Sequence, residues 1–526
     1  MRTFRVRLAH IGLVALVLTI LADILFYHRI GEPLGLSAPL FTAFVALGSV
    51  IAQPRFSARQ LTPYALLMIV ALLALVETVD VGSFLLAVLC LAVVALAAGG
   101  RMSSGLIGVS VLGRFLASAP FAAMRDNLYR RRAALRAWQA RQRTTPALSS
   151  ARHWLVWVMP FILASGFVAL LGAGNPILER WLRQLDPLLL LSQLDPARIL
   201  FWIFVPALIW PFLRPRPRKG NHSAPGWTPV ASRARTFPSA GWSSLVVGPE
   251  AILRALLLFN AVFALQTLLD AVYLWGGLEL PEGISYAAYA HRGAYTLIVT
   301  ALLAAGFVLL ALRPGTTAAT DRRIRFLVYL WIAQNVALVL SAMLRLDLYV
   351  DVYALTHLRL AAFVWMALVA VGLVLICVRI AAARSNAWLV GANLVTVALV
   401  FAGSCFVDDN AFIARFNVEY SRELTGEGTS LDVEHLGLLG PTAIPAIDWF
   451  LRTQKPNETS SALEQTVFDM ETLRERLAER EAARSNDWRG WTFRNWRLSR
   501  YLADHPMPTR PQPQGPDVPQ PAGPTL

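Results

Sequence analysis

The sequence is poor in lysine, cysteine and charge. Only Lys219 and Lys455 are lysines, so 46 of the 48 basic residues are arginines. The three cysteines, Cys90, Cys377 and Cys405, are too few and too widely spaced for a disulfide framework or a zinc site. Charged residues make up 15% of the 526, where soluble globular chains carry about a quarter. There is no Gly-x-x-x-x-Gly-Lys phosphate loop, no His-Glu-x-x-His and no nucleophile elbow, and the eight histidines are scattered. These absences exclude an ordinary soluble enzyme. They point to no cofactor and no metal, and leave open whether the chain is an enzyme at all.

What is present is apolar length. The composition is 56% hydrophobic with a mean hydropathy of +0.51. Runs near 20 residues recur, and at 1.5 Å per residue each can cross a hydrocarbon core of about 30 Å. The fold class is therefore all-α: a polytopic transmembrane helix bundle of about 11 spans, with a small C-terminal helical extramembrane domain and a disordered tail. The spans fall near 9–26, 34–52, 63–79, 83–99, 154–174, 190–213, 251–275, 293–312, 326–344, 360–378 and 387–405. The first is a span rather than a signal peptide, because Asp23 interrupts its apolar end and a second run follows closely.

The net charge of +15 sorts by topology. With the N-terminus cytoplasmic, the inner segments hold 27 Lys and Arg and the outer loops 7, as the positive-inside rule requires. An odd span count then puts the C-terminal region outside the cytoplasm. The implied location is a bacterial inner (plasma) membrane, and the implied partners are anionic lipid headgroups, not nucleic acid. The run Leu106–Ala119 is too short to span and contains Arg114. The stretch after it interleaves apolar residues with Arg125, Arg130, Arg131, Arg132 and Arg136, which suits a helix lying on an anionic leaflet; a solvated basic loop is the alternative.

The chain divides into four spans over 1–100, a basic interfacial segment over 101–153, two spans with an outer amphipathic segment over 154–213, a flexible basic loop over 214–250, five spans over 251–405, a helical domain over 406–505 that could carry a protein partner, and a proline-rich tail over 506–526. In the helical domain Phe412, Phe416 and Tyr420 step by four, and Leu463, Val467, Met470, Leu473 and Leu477 follow the same helical period.

Polar residues gather at the outer mouth of spans seven to ten: Asp270, His291, Arg292, Arg345, Asp347, Tyr349, Asp351, Tyr353, Thr356, His357 and Arg359. A charge near hydrocarbon costs at least a few kcal/mol unless paired. Local pairs are available: Arg345 with Asp347 or Asp351, and Arg359 with Asp351. The cluster is either an outward-facing anion- or proton-handling site or a network of interhelical ion pairs. Asp23, Glu77, Arg254, Asn260, Gln266, Gln334, Asn335 and Asn393 lie inside spans.

Four blocks in order carry a resemblance: Leu258-Phe259-Asn260 through Asp270, Tyr273-Leu274-Trp275-Gly276-Gly277 and Gly293; Arg345-Leu346-Asp347-Leu348-Tyr349 with Tyr353-Ala354-Leu355-Thr356; Ile413-Ala414-Arg415-Phe416-Asn417 with Leu431-Asp432 and Ala443-Ile444-Pro445-Ala446; and Asp487-Trp488 before an Arg-rich helix. Over about residues 170–500 the chain resembles a bacterial multi-pass membrane family known as domain of unknown function 4173. The resembled pattern has glycine where this chain has Ala354. The resemblance implies an integral membrane protein and no substrate, reaction or catalytic residue. Three functions compete: a transporter-like protein with an outward-facing polar site, an envelope sensor or assembly scaffold acting through the C-terminal domain, and a membrane enzyme on lipid-linked substrates using Asp347 or Asp351 as base and Arg345 or Arg359 as phosphate clamp.

Overall fold

A computed structural model describes residues 2–27, 31–53, 58–102, 105–142, 157, 159–168, 195–215, 249–272, 306, 321–453, 461–484 and 487–506. Among them every regular element is helical. The chain forms two compact units. The first comprises residues 1–248, 375–406 and 487–490, and the second 249–374, 407–486 and 491–526.

The first unit holds α1 (Arg2–Phe26), α2 (Ser37–Ile51), α3 (Ala58–Glu77), α4 (Val81–Ala98), α5 (Gly105–Ser118), α6 (Ala122–Gln142) and α7 (Pro196–Leu213). Helix α4 is apolar on all sides and its C-terminal half, Val94–Ala98, is fully enclosed, so it is the central helix of the unit. Asp80 starts it with a reciprocal capping box: its carboxylate accepts from the Ser83 N–H at 2.8 Å, and the Ser83 hydroxyl accepts from the Asp80 N–H at 3.0 Å. Helix α1 buries Ile11, Ala15, Leu18, Ala22 and Leu25 at alternating three- and four-residue steps, and leaves Leu13, Leu16, Val17, Ile20 and Ile24 exposed. An apolar outer face of this extent is the inverse of a soluble protein and fits a lipid-facing helix.

The second unit begins with α8 (Pro249–Asp270) and α9 (Arg322–Tyr353); α10 (His357–Ala381) starts in it, and α11 (Asn386–Ser404) belongs to the first unit. Helices α8 and α9 pack side by side and run in the same direction: Asn260 bonds the Leu327 carbonyl near their N-terminal halves, and Asp270 meets Arg345 near their C-terminal ends. A parallel pair is what one intervening span produces; apart from Gly306, the expected span near 293–312 lies outside the described residues. Among the described residues six helices are long and apolar enough to cross a membrane: α4, α7, α8, α9, α10 and α11. Helices α2, the apolar parts of α1 and α3, and the stretch Met159–Val168 are shorter, so ten of the eleven expected spans overlap described helix but only six meet the full length.

The α5–α6 pair, bent by 79°, would be a seventh span if it crossed as one. Its contacts say otherwise. The Gln53 amide donates to the Leu213 carbonyl at 3.0 Å, a Cβ on Gly99 would lie 3.0 Å from Pro215, and Arg214 pairs with Asp126 at 3.0 Å. Phe115 on α5 meets Phe212 edge-on at 5.9 Å. The chain therefore stays at one end of the unit from Gly99 through α5 to the start of α6. The interfacial or re-entrant course of Leu106–Ala119 stays an expectation, and the sidedness reporters below test it.

After α11 the chain folds into a polar helical bundle: α12 (Asp409–Glu419), α13 (Arg422–Thr425), α14 (Val433–Leu439), α15 (Ile444–Thr453), α16 (Ser461–Ala482) and α17 (Phe493–Asp504). Its core contains Ile413, Ile444, Ile447, Phe450, Met470, Leu473, Leu477 and Leu498, together with Val350 and Leu355 from the end of α9. A buried Asp448–Arg474 pair at 2.9 Å, with Arg474 also donating to the His505 carbonyl at 2.7 Å, ties α15 and α16 to the end of α17. The step of Phe412, Phe416 and Tyr420 is not a core stripe. The buried face of α12 is Ile413, Ala414, Asn417 and Val418. Phe412 and Tyr420 are exposed, Phe416 between them is half-buried against the core, and the three rings form a ladder along the helix. Residues 175–194 of the expected outer segment 175–198, residues 216–248 of the basic loop 214–250 and residues 507–526 of the tail 506–526 lie outside the described residues.

Two measurements check this architecture. Sidedness reporters inserted after Gly100, Gln142 and Pro215 give the same side, and an opposite result at Gln142 makes α5–α6 a span. Burial raises the Glu481 carboxyl above its ordinary value, partly countered by Arg484. The folded state then holds that proton more tightly than the unfolded chain, so the bundle loses stability as pH rises from the ordinary glutamate range through the raised value. Glu481→Gln raises the bundle's melting temperature at neutral pH, and the gain shrinks toward zero in acid.

Candidate functional site

The expected outer loop from Arg345 onward is mostly helix. No proline or glycine interrupts residues 322–353, and α9 runs 32 residues, about 48 Å, some 18 Å more than a hydrocarbon core. Its side chains are thereby fixed at helical angles, and the local pairs expected from sequence do not form. Arg345 pairs with Asp270 on α8, 75 residues away, rather than with Asp347 or Asp351. Both groups are buried: Asp270 is 0% exposed and Arg345 6%. The Gln266 amide donates to Asp270 Oδ1 at 3.0 Å from one turn earlier. Asp347 and Asp351 face outward on the exposed side of α9.

Arg359 also departs from expectation. It does not meet Asp351. Its guanidinium donates to the carbonyls of Tyr353 and Ala354 and lies 4.6 Å from the Tyr349 ring centroid. These carbonyls end α9, where a cation is favoured by the helix dipole. The turn they flank is strained: Ala354 has φ 62° and ψ 168°, a region that only glycine occupies readily. Leu355, the next residue, is clamped on both backbone groups. Its N–H donates to Asn417 Oδ1 at 2.6 Å and its carbonyl accepts from Asn417 Nδ2 at 2.9 Å. His357 meets Asn410 at 2.7 Å. Helix α12 thus lies across the α9–α10 turn, touching it at two points seven residues apart. His291 and Arg292 lie outside the described residues; Tyr353 and Thr356 belong to this turn.

Below the ion pair, a polar stripe runs between α8 and α9. Asn260 donates to the carbonyls of Leu256 and Leu327, and Gln334 donates to the Asn260 carbonyl at 3.3 Å. Asn335 bonds back to the Trp331 carbonyl. These are interhelical and local backbone bonds of the kind that hold membrane helices together.

Two further buried carboxylates were not singled out as site residues from sequence. Asp23 on α1 receives Arg198 at 2.5 and 3.1 Å and the Trp202 indole at 3.0 Å. Asp126 on α6 receives Trp210 at 3.2 Å as well as Arg214. A signal for the second was present: Asp126 is the one acidic residue among ten arginines in 101–153. Along α6, Arg131, Arg132 and Arg136 are exposed and Arg125 half-buried, while the side chain of Arg130 lies outside the described residues. Arg254 pairs with Glu250 on its own helix at 3.1 Å. Among the described residues no group of three His, Cys, Asp or Glu gathers as a metal site.

Span-length apolar helices, two of them joined by the buried Asp270–Arg345 pair, are consistent with an integral membrane protein. The chain belongs to the family described as a domain of unknown function (DUF4153), whose model matches residues 61–449. This corrects the number 4173 suggested by the sequence blocks, and moves the family region to begin at α3 and end within α15. No curated protein and no solved structure matches the chain. The family description names no activity.

The turn gives paired predictions. Ala354→Gly removes a strained alanine and stabilises the protein by about 1–3 kcal/mol. Asn417→Ala strands two buried backbone groups and costs about 1–3 kcal/mol for each. Thermal unfolding of the purified protein reads both, and shifts of the same sign would contradict the turn geometry.

Proposed function

We propose that the chain is a transporter-like inner-membrane protein, with its N-terminus in the cytoplasm and its C-terminal bundle outside, whose polar site is the Asp270–Arg345 pair. The observation that carries this reading is the placement of two opposite charges, both buried, on adjacent span-length helices. Ionisable residues inside membrane helices are costly, and they mark ion and substrate pathways. The stripe of Asn260, Gln334 and Gln266 leads to the pair from within the bilayer, and Asp347, Asp351, Tyr353 and Thr356 supply polar groups beyond it. His291 and Arg292 belong to the same proposed site by sequence position. The basic face of α6, Arg125, Arg130, Arg131, Arg132 and Arg136, contacts anionic headgroups of the cytoplasmic leaflet.

The sensor or scaffold reading has its own support. The C-terminal bundle takes Val350 and Leu355 into its core and clamps the α9–α10 turn, so a partner binding the bundle acts directly on α9. The enzyme reading loses its clamp, since Arg345 is held by Asp270 and Arg359 by backbone carbonyls.

A charge exchange separates site from lock. Asp270→Asn or Arg345→Gln alone leaves a buried charge and costs about 3–5 kcal/mol. The double variant Asp270→Arg with Arg345→Asp restores the pair and the protein level. If the pair is a site, the double variant accumulates normally in a deletion strain yet does not rescue its phenotype. Full rescue reduces the pair to a structural lock and overturns the proposal.

A further inference from the structure

Charge in the C-terminal domain is segregated. Residues 406–526 hold 18 acidic and 13 basic residues, yet 488–500 hold four arginines and no acid. Three of the four, Arg494, Arg497 and Arg500, lie on α17. That helix buries Leu498 in the bundle core and packs Tyr501 and Leu502 against it. The opposite face carries Phe493, Trp496, Arg497 and Arg500, at i, i+3, i+4 and i+7. All four are exposed. Phe493 and Trp496 stack at 5.4 Å and 23°, Arg497 lies 5.1 Å from the Phe493 centroid, and Arg500 lies 5.6 Å from that of Trp496. The result is an ordered ladder in which each arginine rests on a ring at the exposed surface of the helix.

The position of this ladder says what meets it. Arg494, on the inner side of the same helix, donates to the Val407 carbonyl at 3.0 Å and lies 3.6 Å from Asp408, which caps α12. Val407 is three residues past Ser404, where the span-length helix α11 ends. The start of α17 is therefore held within one short step of the place where the chain leaves the hydrocarbon. Tryptophan, phenylalanine and arginine together suit the headgroup layer: rings settle at the boundary with the acyl chains, and guanidinium groups bind phosphate.

We propose that the Phe493–Trp496–Arg497–Arg500 face of α17 docks on the membrane leaflet next to it and binds anionic phospholipid headgroups. The bundle is then seated on the bilayer by α17 as well as by its covalent link to α11 and its packing on the end of α9. The inference rests on reading α11 as a span, and the test reports on that reading separately.

The full-length protein is prepared with Cys90, Cys377 and Cys405 replaced by alanine and a single nitroxide at one of three positions. Ala503→Cys lies on the ladder face, Glu475→Cys on the exposed side of α16, and Val395→Cys on an exposed part of α11. Collision with oxygen and with a water-soluble nickel complex gives the depth of each label in phosphatidylglycerol and in phosphatidylcholine vesicles. The expected result is hydrocarbon depth at 395 and water at 475 in both lipids, with headgroup depth at 503 in phosphatidylglycerol. Adding Arg497→Gln and Arg500→Gln should lower the docked-to-undocked ratio at 503 by roughly thirtyfold, at the usual strength of about a factor of five per surface arginine. Water at 503 in both lipids, with 395 in hydrocarbon, overturns the docking and hands the face to a protein partner. Water at 395 overturns the span itself. Headgroup depth at 503 that is unchanged by the two glutamines overturns the role of the arginines.

Discussion

A carboxylate that enters an apolar helix bundle must meet a cation there, and this constraint organises the molecule. Asp23 is answered by Arg198, Asp126 by Arg214 and Asp270 by Arg345. Each pair joins two different helices, and in each the carboxylate is nearly or wholly buried. The pairs act as registers as well as neutralisers. Asp23 near the end of α1 and Arg198 near the start of α7 align helices running in opposite directions; Asp126 and Arg214 gather α6 and α7 at the other end of the first unit. Hydrophobic contact alone gives helices in lipid little preference of level, because an apolar helix slid by one turn still faces acyl chains. A buried ion pair displaced by a turn leaves two unpaired charges.

Partners within the fold account for three of the seven arginines expected outside, the other four lying outside the described residues. Arg198 and Arg345 are held by carboxylates from other helices, and Arg359 sits on the carbonyl end of α9. Such residues are poor topology signals because their charge is neutralised within the fold. The arginines of α6 differ: Asp126 fixes one point of the helix, while Arg131, Arg132 and Arg136 remain exposed. Arginine thus does two jobs in this chain, pairing inside the bundle and presenting charge at its edges, and the near absence of lysine fits a guanidinium's capacity for several directed hydrogen bonds.

Apolar length and helical period made much of the fold legible. Ten of the eleven expected spans overlap described helix, and six of those helices have full span length. What the sequence could not supply was partnership. The three pairs join residues 175, 88 and 75 positions apart, and no local rule selects Arg345 for Asp270 over the nearer Asp347 and Asp351. Nor does a four-residue step say which face is inside, as Phe412, Phe416 and Tyr420 demonstrate. The extent of α9 was misjudged for a related reason. The polar cluster Arg345–Tyr353 looks like a loop by composition, yet it contains no helix breaker. The helix stops only at Ala354, whose backbone a glycine would fit best.

That stop defines what the C-terminal bundle can do. Arg345 and Val350 are five residues apart on one continuous helix, about 7.5 Å, so the ion pair and the bundle core share a rigid segment. Beyond it the chain passes through a strained turn whose backbone is held by Asn417 from one side and Arg359 from the other. A rigid helix ending in a strained, clamped turn transmits displacement rather than absorbing it. On the proposed transport reading, opening of the charge pair would act on Val350 through this helix; on the sensor reading, a shift of the bundle would act on the pair. The two readings would share the same rigid segment. They differ in where the ligand acts: on Asp270 and Arg345 between the helices, or on the outer surface of the bundle.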